Sequence, residues 1–360
     1  MEITQVPEQS KFRYGKVACR ETHVSVRIPN MFVLSFSEKP VSNTCYETVK
    51  EDSEAWISKV CKFDDIGRRK LSQVDFSYLG SRMTPNALLS ELRTVCDWGN
   101  WVFVFDDLFD NGHLKDDPIQ AQQLINSVIA GMEDGGIVPD DSEEHPLVRV
   151  HNSVWHRLSK DSPVGVGRRF ADSIKEYCNG ISEQVHQFSR GENPTFEETF
   201  AVRRQSVAIR PLFVLVEYAH KLNIPDSVFE TRSIKELERI GTELCLLQND
   251  IASYCKEAED GEVHNVVAAC RRAGMSAQMA FDHIGDMVLS RYREWHLALA
   301  DLPSWSEDID SEVQKYIRGM HNVLEAILAW SFHCERYGLG EEVRKSGIVS
   351  VPRWSADVEL

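Results

Sequence analysis

The sequence of 360 residues lacks the features that would suit it to a membrane or to nucleic acid. It contains no run of 18 apolar residues, so no ordinary membrane-spanning helix is predicted. Positive charge is scarce, because 40 Lys and Arg residues stand against 56 Asp and Glu residues. The net charge of −16 argues against nucleic acid and an anionic membrane surface as partners, and no basic stripe offsets it. Because a membrane span is also lacking, stable membrane insertion is not expected.

Patterns that mark disulfides, zinc sites and secretion are also lacking. The nine cysteines are scattered, and no two of them have C-x-x-C spacing. Such usage is typical of free thiols that pack as small apolar side chains in a reducing compartment. The N-terminus has no basic segment followed by an apolar run, so we expect no secretory signal and a cytoplasmic location.

The alternation typical of half-buried strands is nearly absent, and helical spacing prevails from about residue 50 onward. The sequence predicts one all-α domain of roughly ten to twelve helices. Residues 1–45 are expected to lie extended on the helical domain of residues 46–337, and residues 338–360 to form an irregular tail positioned as a lid. The predicted helices cover about 47–63, Pro85 to the acidic stretch with a break at Gly99, 118–132, 145–159, 165–188, 196–221, 233–258, 276–300 and 307–336.

The stretch Trp101–Asn111 places an apolar, aromatic run directly before three carboxylates. Asp106 and Asp110 are four residues apart, so on a helix they share a face and lie ~6 Å from each other. Phe103 shares that face, whereas Asp107 lies ~100° away from it. Two interpretations fit this stretch alone: an acidic helix end in solvent, or a site for hard cations beside an apolar ligand.

A second candidate site lies in the helical segment 233–258. Asn249, Ser253 and Glu257 are spaced four residues apart and line one helix face over ~12 Å. Their oxygens are donors that Mg²⁺ accepts, and the absence of soft ligands argues against zinc. A solvated helix face is the alternative, but it explains Asn249 poorly because Asn is unfavourable inside a helix without a partner.

The two motifs together resemble class I terpene synthases. Asp106–Asp110 reads as the family's D-D-x-x-D motif, and Asn249–Glu257 reads as its N-D-x-x-S-x-x-x-E motif. The segment Arg203–Ala208, followed by Pro211, is similar to the family's R-R-x-T-x-G segment. The resemblance covers roughly residues 29–353 and is strongest for fungal sesquiterpene synthases, the presilphiperfolanol-synthase group in particular.

This resemblance implies three Mg²⁺ ions as cofactors. Two of them are expected on the first motif, chiefly on Asp106 with Asp110 or Asp107 assisting. The third is expected on the second motif, where the ligands would be Asn249, Ser253 and Glu257.

The resemblance also implies a prenyl diphosphate as substrate and names the side chains that grip it. Arg336 and Tyr337 match the family's R-Y pair, and Lys256 matches a diphosphate-binding lysine of fungal members. Arg203 and Arg204 are ~100° apart on a helix, so only one of them can face the site. The family motif uses its second arginine, which favours Arg204.

A cavity that holds carbocations requires aromatic faces and the exclusion of water. Helical phase favours Phe103, and it also favours Trp330, which shares a face with Tyr337. For each aromatic residue, ordinary core packing is the alternative. Further candidates are Phe76, Phe105, Phe213 and Phe332.

Pro211 lies inside a helical pattern and has no N–H, so the carbonyl of Val207 loses its partner and the helix is predicted to kink. A free carbonyl dipole that faces the cavity would stabilise an allylic cation. The family usually has glycine at the next position, and Ala208 departs from this pattern by adding a methyl group that narrows the cavity. A simple kinked helix is the alternative.

The resemblance thus implies a single-domain class I terpenoid synthase α-bundle with a central active-site cavity. Its expected reaction ionises farnesyl diphosphate with Mg²⁺, cyclises the cation to a polycyclic sesquiterpene hydrocarbon or alcohol, and releases diphosphate. The lack of a second D-D-x-x-D motif argues against chain elongation, and the lack of D-x-D-D against cyclisation by protonation. Two alternatives remain open: a synthase for geranyl or geranylgeranyl diphosphate, and a non-catalytic helical protein that binds prenyl diphosphates. A homodimer is a further expectation from the resemblance.

Overall fold

The computed structural model describes residues 22–34, 41–133 and 144–357. These residues form fifteen α-helices and one two-stranded sheet, so the all-α class is confirmed, but the helices outnumber the ten to twelve expected. No helix in the described part of the chain is long and apolar enough to cross a bilayer. The helices are α1 Tyr46–Val60, α2 Asp65–Val74, α3 Phe76–Met83, α4 Leu89–Asp110, α5 Pro118–Glu133, α6 Pro146–Asp161, α7 Val164–Ser189, α8 Phe196–Ser206, α9 Ile209–Ala219, α10 Asp226–Phe229, α11 Arg232–Asp260, α12 Val266–Arg272, α13 Ala277–Ala300, α14 Glu307–His333 and α15 Glu341–Ser346.

Helix α4 is continuous, and the predicted break at Gly99 is wrong. A Cβ atom at Gly99 would lie only 1.6 Å from the ring of Phe76. This glycine therefore allows α3 to pack closely on α4, and the ring of Phe76 fills the space. Pro85 does not begin the helix either, since α4 begins at Leu89 and Pro85 lies in the turn after α3.

The helix predicted over residues 196–221 is broken completely into α8 and α9. Between them Val207 ends the first helix and Ala208 adopts a left-handed conformation with φ of 57°. Pro211 is the third residue of α9, where its missing N–H costs no helical hydrogen bond. The proline thus permits a new helix start instead of kinking a single helix.

Helix α9 lies at the centre of the bundle, where it contacts α4, α7, α11 and α14. Every residue of this helix except Arg210 is buried. A helix that is apolar on all sides is stable only inside a core, because each fully buried Val, Leu or Phe side chain stabilises the fold by about 1.5–3 kcal/mol. The break before α9 is therefore fixed in place by packing on all sides.

The two ends of the described chain form a sheet that the sequence pattern did not predict. β1 His23–Arg27 pairs antiparallel with β2 Ile348–Pro352, and alternate residues of β2 are buried. The guanidinium of Arg271 is fully buried, forms an ion pair with Asp357, and donates to the carbonyl of Pro352 at 2.8 Å. The expectation of an irregular tail is therefore wrong for residues 338–357, which contain α15 and β2 and are docked on the body. A role of this segment as a lid stays a prediction.

The N-terminal expectation is met only in part. Residues 22–34 lie along the body through β1 and a short 3₁₀ helix, Met31–Leu34. Residues 1–21 and 35–40 of the expected extended segment fall outside the described residues.

His151 of α6 predicts a measurable pH dependence of stability. It is fully buried between the rings of Trp101 and Phe170, and burial lowers its pKa to about 3. The unfolded chain takes up a proton here near pH 6.5 and the folded chain does not, so stability is lost as the pH falls below 6.5. At pH 5 this costs about 2 kcal/mol relative to neutral pH.

The substitution His151→Leu should remove that component. Urea unfolding at pH 7.5 and pH 5 should show a smaller loss of unfolding free energy in the variant than in the parent protein, by about 2 kcal/mol. The control is His283→Leu, at an exposed histidine. This variant should lose as much unfolding free energy between pH 7.5 and pH 5 as the parent protein. An equal acid loss in all three proteins would contradict the assignment.

Candidate active site

A single cavity collects most of the residues singled out from the sequence. It is lined by α3, α4, the α8–α9 break, α11, α14 and the segment after α14. Along both α4 and α11, apolar lining residues come first and carboxylates follow towards the C-terminal end. The predicted residues that line it are Phe76, Phe103, Asp106, Asp110, Val207, Ala208, Asn249, Glu257, Trp330, Arg336 and Tyr337.

The first acidic motif occupies the last turn of α4. Asp106 accepts a hydrogen bond from the hydroxyl of Tyr177, on α7, at 2.5 Å. Asp107 turns to the side and pairs with Arg336 at 2.8 Å. The spacing argument thus holds in the structure, because Asp106 and Asp110 share the cavity face and Asp107 does not.

The second motif lies on α11, and its three oxygen-bearing side chains have different partners. Asn249 donates to the Tyr337 hydroxyl at 3.0 Å, so the end of the chain after α14 is tied to this helix. Ser253 is fully buried, and Glu257 accepts a hydrogen bond from the side chain of Asn265 at 2.8 Å. All three oxygens are hard donors on one helix, as the spacing predicted.

Arg203, not Arg204, reaches this motif. Its guanidinium contacts Asp250 at 2.6 Å and the carboxamide oxygen of Asn249 at 3.0 Å. The Arg203 side chain is largely buried and lines the cavity, so a fixed cation faces the centre of the site. Arg336 supplies a second cation from the opposite side, where it lies 5.1 Å over the Phe103 ring.

The electrostatics of the cavity mouth are those of crowded carboxylates. Burial and the neighbouring carboxylates of Asp106, Glu262 and Glu257 raise the pKa of Asp110 well above its ordinary value. Burial also raises the pKa of Asp106 to about 6. At Asp107 burial acts in the same direction, but the Arg336 guanidinium outweighs it and the pKa is lowered.

The residues present fit divalent magnesium. Carboxylates that close the last turns of α4 and α11 also meet the negative ends of both helix dipoles, which disfavours further anions there and favours cations. No three His, Cys, Asp or Glu residues among those described converge closely enough to enclose a metal by themselves. Mg²⁺ suits such an open set because it keeps several waters and binds substrate phosphates alongside one or two carboxylates.

The apolar wall opposite the motifs is an aromatic cluster. The ring centroid of Phe103 lies 5.1 Å from that of Phe76 and 4.9 Å from that of Trp330. The indole N–H of Trp330 donates to the Val74 carbonyl at 2.6 Å, which fixes the ring with its apolar surface available to the cavity. These three rings present a surface that attracts cations without offering a nucleophile.

The expectation that Arg204 faces the cavity is wrong. Its side chain is 43% exposed, pairs with Glu243 at 2.7 Å, and lies over the ring of Phe200. The helical phase explains the outcome, because Thr199 and Ser206 are buried and only Arg203 shares their face. The sequence alone did not show which face of α8 is buried, and this face decides between the two arginines.

Three predicted aromatic residues are also misassigned. Phe213 is buried in the core beneath a groove on the outer surface and does not line the cavity. Phe105 stacks on Trp101 with centroids 4.7 Å apart, and Phe332 packs against Phe32 at 5.0 Å. For these three, core packing prevailed over the role at the site.

Among the polar candidates, Asp107, Ser253 and Lys256 do not line the cavity. Lys256 pairs with Asp260 at 3.0 Å, one turn further along the same helix. It adds positive charge near Asp107, whose pKa it helps to lower. Its expected contact with a diphosphate remains a prediction.

Two side chains that contact the site from outside the cavity, Tyr177 at Asp106 and Asn265 at Glu257, were not indicated by the sequence. Tyr177 carried no motif signal, although its spacing on a helix with an apolar face could have shown that it is buried. Asn265 precedes a short helix in the N-cap position that Asn favours, which is a readable signal. The cavity lining itself is completed by Leu79, Trp98, Val102, Ser206, Ile209, Leu212, Cys245 and Ile327.

Comparisons with known proteins agree with this geometry. Residues 97–294 match the family model described as "Terpene synthase family 2, C-terminal metal binding". Silphinene synthase from Penicillium patulum is 38% identical and the alignment covers 88% of this chain and 86% of that protein. (+)-Eremophilene synthase from Gibberella fujikuroi is 36% identical, with 87% and 88% covered. The crystal structure of germacradien-4-ol synthase from Streptomyces citricolor shares the fold at a TM-score of 0.71 and 18% identity, with 83% and 97% covered.

The left-handed alanine at the cavity predicts an unusual effect of glycine. Ala208→Gly should raise the free energy of unfolding by up to about 1 kcal/mol, because glycine adopts a positive φ without steric cost. Denaturant titrations measure this directly. The matched control is Ala298→Gly, an equally buried alanine inside α13, which should lower stability by about 1 kcal/mol. Losses in both variants would show that Ala208 is unstrained.

Proposed function

The chain belongs to the terpene synthase family, and we propose that it is a sesquiterpene synthase that ionises farnesyl diphosphate and cyclises the resulting carbocation. The proposal includes three Mg²⁺ ions, release of diphosphate, and a polycyclic hydrocarbon or alcohol as product. We also expect a cytoplasmic protein and a homodimer, as the family resemblance implies.

One observation carries the proposal. Two helices end in carboxylates at one cavity, two buried arginines face the same mouth, and the rest of the wall is apolar and aromatic. This arrangement suits an anionic head that binds with metal ions and an apolar tail that lies beyond it. The names of the relatives support the same substrate class.

The proposed reaction begins with cleavage of an allylic C–O bond, in which the bonding pair leaves with the diphosphate. Bound Mg²⁺ would supply a Lewis acid that stabilises the growing negative charge. Arg203 and Arg336 add guanidinium forks suited to phosphate oxygens, and the Tyr337 hydroxyl adds a donor. At present both arginines are paired with Asp250, Asn249 and Asp107, so the substrate would take over some of these contacts.

The same carboxylates explain why the proposed site needs bound cations before it can take up a diphosphate. Without cations the mouth repels a diphosphate, because Asp106, Asp110 and Glu257 crowd together. With cations and the arginines, the diphosphate finds a site of net positive charge. The departing diphosphate is also the most suitable base for the final proton, since no carboxylate in the apolar part of the cavity takes that role.

The aromatic wall would stabilise the cation that remains. The faces of Phe76, Phe103 and Trp330 attract positive charge and exclude water. Across the cavity, Val207 ends α8 at the break before α9 and lines the site. We expect its carbonyl dipole to face an allylic cation there, although the break and not Pro211 places it outside a helix.

The alternative substrate lengths remain open. The cavity measures about 90 Å³, which is below the ~300 Å³ at the lower end of typical ligand sites. We therefore expect lining side chains to move when a prenyl diphosphate binds, and the volume does not discriminate between chain lengths.

Incubation of the pure protein with farnesyl diphosphate and Mg²⁺ tests the proposal. Gas chromatography–mass spectrometry of the organic extract should show a cyclic sesquiterpene, and removal of Mg²⁺ with a chelator should abolish it. Parallel incubations with geranyl and geranylgeranyl diphosphate distinguish the alternatives. Only unreacted or linear material from all three substrates would refute a cyclase.

The metal assignment has its own test in Asp106→Asn and Asn249→Ala. Each variant should lower turnover by orders of magnitude while the circular dichroism spectrum and the melting temperature stay close to those of the parent protein. Full activity in either variant would show that the metal sites are misassigned.

The two adjacent arginines provide a matched pair. Arg203→Lys keeps the charge beside Asp250 but loses the guanidinium fork, and it should lower kcat by about 10²-fold or more. Arg204→Lys should change kcat by less than about twofold, because this side chain lies on the outer surface and Glu243 keeps Arg239 and Arg291 as partners. Steady-state kinetics with farnesyl diphosphate measure both effects. A larger loss of kcat in Arg204→Lys than in Arg203→Lys would restore Arg204 as the arginine that grips the diphosphate.

A further inference from the structure

Behind the α11 motif lies a buried side chain that does not line the cavity. Asn265 is fully buried and directly precedes α12. Its carboxamide oxygen accepts hydrogen bonds from the backbone N–H groups of Val267 at 2.8 Å and Ala268 at 3.2 Å. Because two backbone donors hold the oxygen, the amide nitrogen can only point the other way, towards α11.

That nitrogen meets the metal-binding face from the rear. It donates to Glu257 Oε2 at 2.8 Å and to the Asp250 carbonyl at 2.9 Å, and it lies 3.5 Å from Ser253 Oγ. Two of the three expected ligands on α11 thus share one donor. The third, Asn249, has other partners.

We propose that Asn265 is a positioning residue that orients Ser253 and Glu257 for the metal–diphosphate complex. The proposal rests on the proposed function, because it concerns the same site. Asn265 would not touch the metal or the substrate. It acts through the two side chains that do.

The chemistry of an amide suits this task. A hydrogen bond to Oε2 fixes the carboxylate of Glu257 and leaves its Oε1 for a cation. A neutral donor orients the carboxylate without neutralising it, whereas a lysine or arginine at the same place would compete with the metal. Holding a long Glu side chain in one rotamer also lowers the entropic cost of cation binding.

The same short segment is linked to the diphosphate-binding side. The backbone N–H of Val266 donates to Asp250 at 2.8 Å, and Asp250 in turn pairs with Arg203. The start of α12 therefore holds both a metal-ligand pair and the partner of the cavity-facing arginine. Residues that bind metal and residues that bind the anion are oriented by one structural element.

Asn265→Ser tests the proposal because it should keep the N-cap of α12 and remove the hydrogen bonds that the amide nitrogen donates to α11. Serine caps helices as well as Asn does, but its side chain is too short to reach α11. Isothermal titration with Mg²⁺ and inorganic diphosphate should show an affinity about 10- to 100-fold lower than in the parent protein. The Mg²⁺ concentration for half-maximal turnover should rise by a similar factor, while KM for farnesyl diphosphate at saturating Mg²⁺ stays within about threefold.

A second variant and a control keep the result interpretable. Asn265→Thr also caps and fills more of the space, so it decides the question if Asn265→Ser does not fold. Ser276→Ala removes the cap of the neighbouring helix α13 and should lower stability without changing Mg²⁺ affinity. Wild-type affinity for Mg²⁺ with diphosphate in the folded Asn265 variants would overturn the proposal and leave Asn265 as a helix cap.

The binding measurement also separates this proposal from the proposed function. A parent protein that binds Mg²⁺ with diphosphate but converts no prenyl diphosphate would refute the function, and the affinity ratio would still decide the role of Asn265. A parent protein that binds neither would overturn both.

Discussion

The repulsion between carboxylates at two helix ends is the constraint on which the site depends. Helices α4 and α11 both end in acidic turns at one cavity, where the helix dipoles add further negative charge. Arg203 and Arg336 offset part of this charge, and each is held by a carboxylate that lies off the cavity face. Asp250 and Asp107 therefore serve the arginines, while the carboxylates on the cavity face stay available to cations.

The central helix α9 gives this charged mouth its fixed geometry. Because α9 is buried on nearly all sides, the break before it cannot shift without disturbing four neighbouring helices. Arg203 lies one turn before the break, and Val207 and Ala208 form it. The packing of apolar residues thus sets the distance between Arg203 and the apolar part of the cavity.

Local sequence patterns predicted most of the long helices and both acidic motifs, because periodicity and i, i+4 spacing act within one element. They did not predict the short helices α2, α3, α10, α12 and α15. They failed where the outcome depends on contacts between elements. The choice between Arg203 and Arg204 needed the buried face of α8, and the docked tail needed the buried Arg271 ion pair. Asn265 was missed for the same reason, since its role appears only when α12 is placed behind α11.

The contact between Gly99 and Phe76 has a consequence for how this protein could diverge. The Phe76 ring forms part of the cavity wall, and Gly99, which is not itself part of the lining, determines how far that ring lies back. A methyl group at residue 99 would push the aromatic face inward and reshape the space in which a cation folds. Selectivity can therefore be altered from outside the cavity, so a comparison restricted to lining residues would overlook the cause.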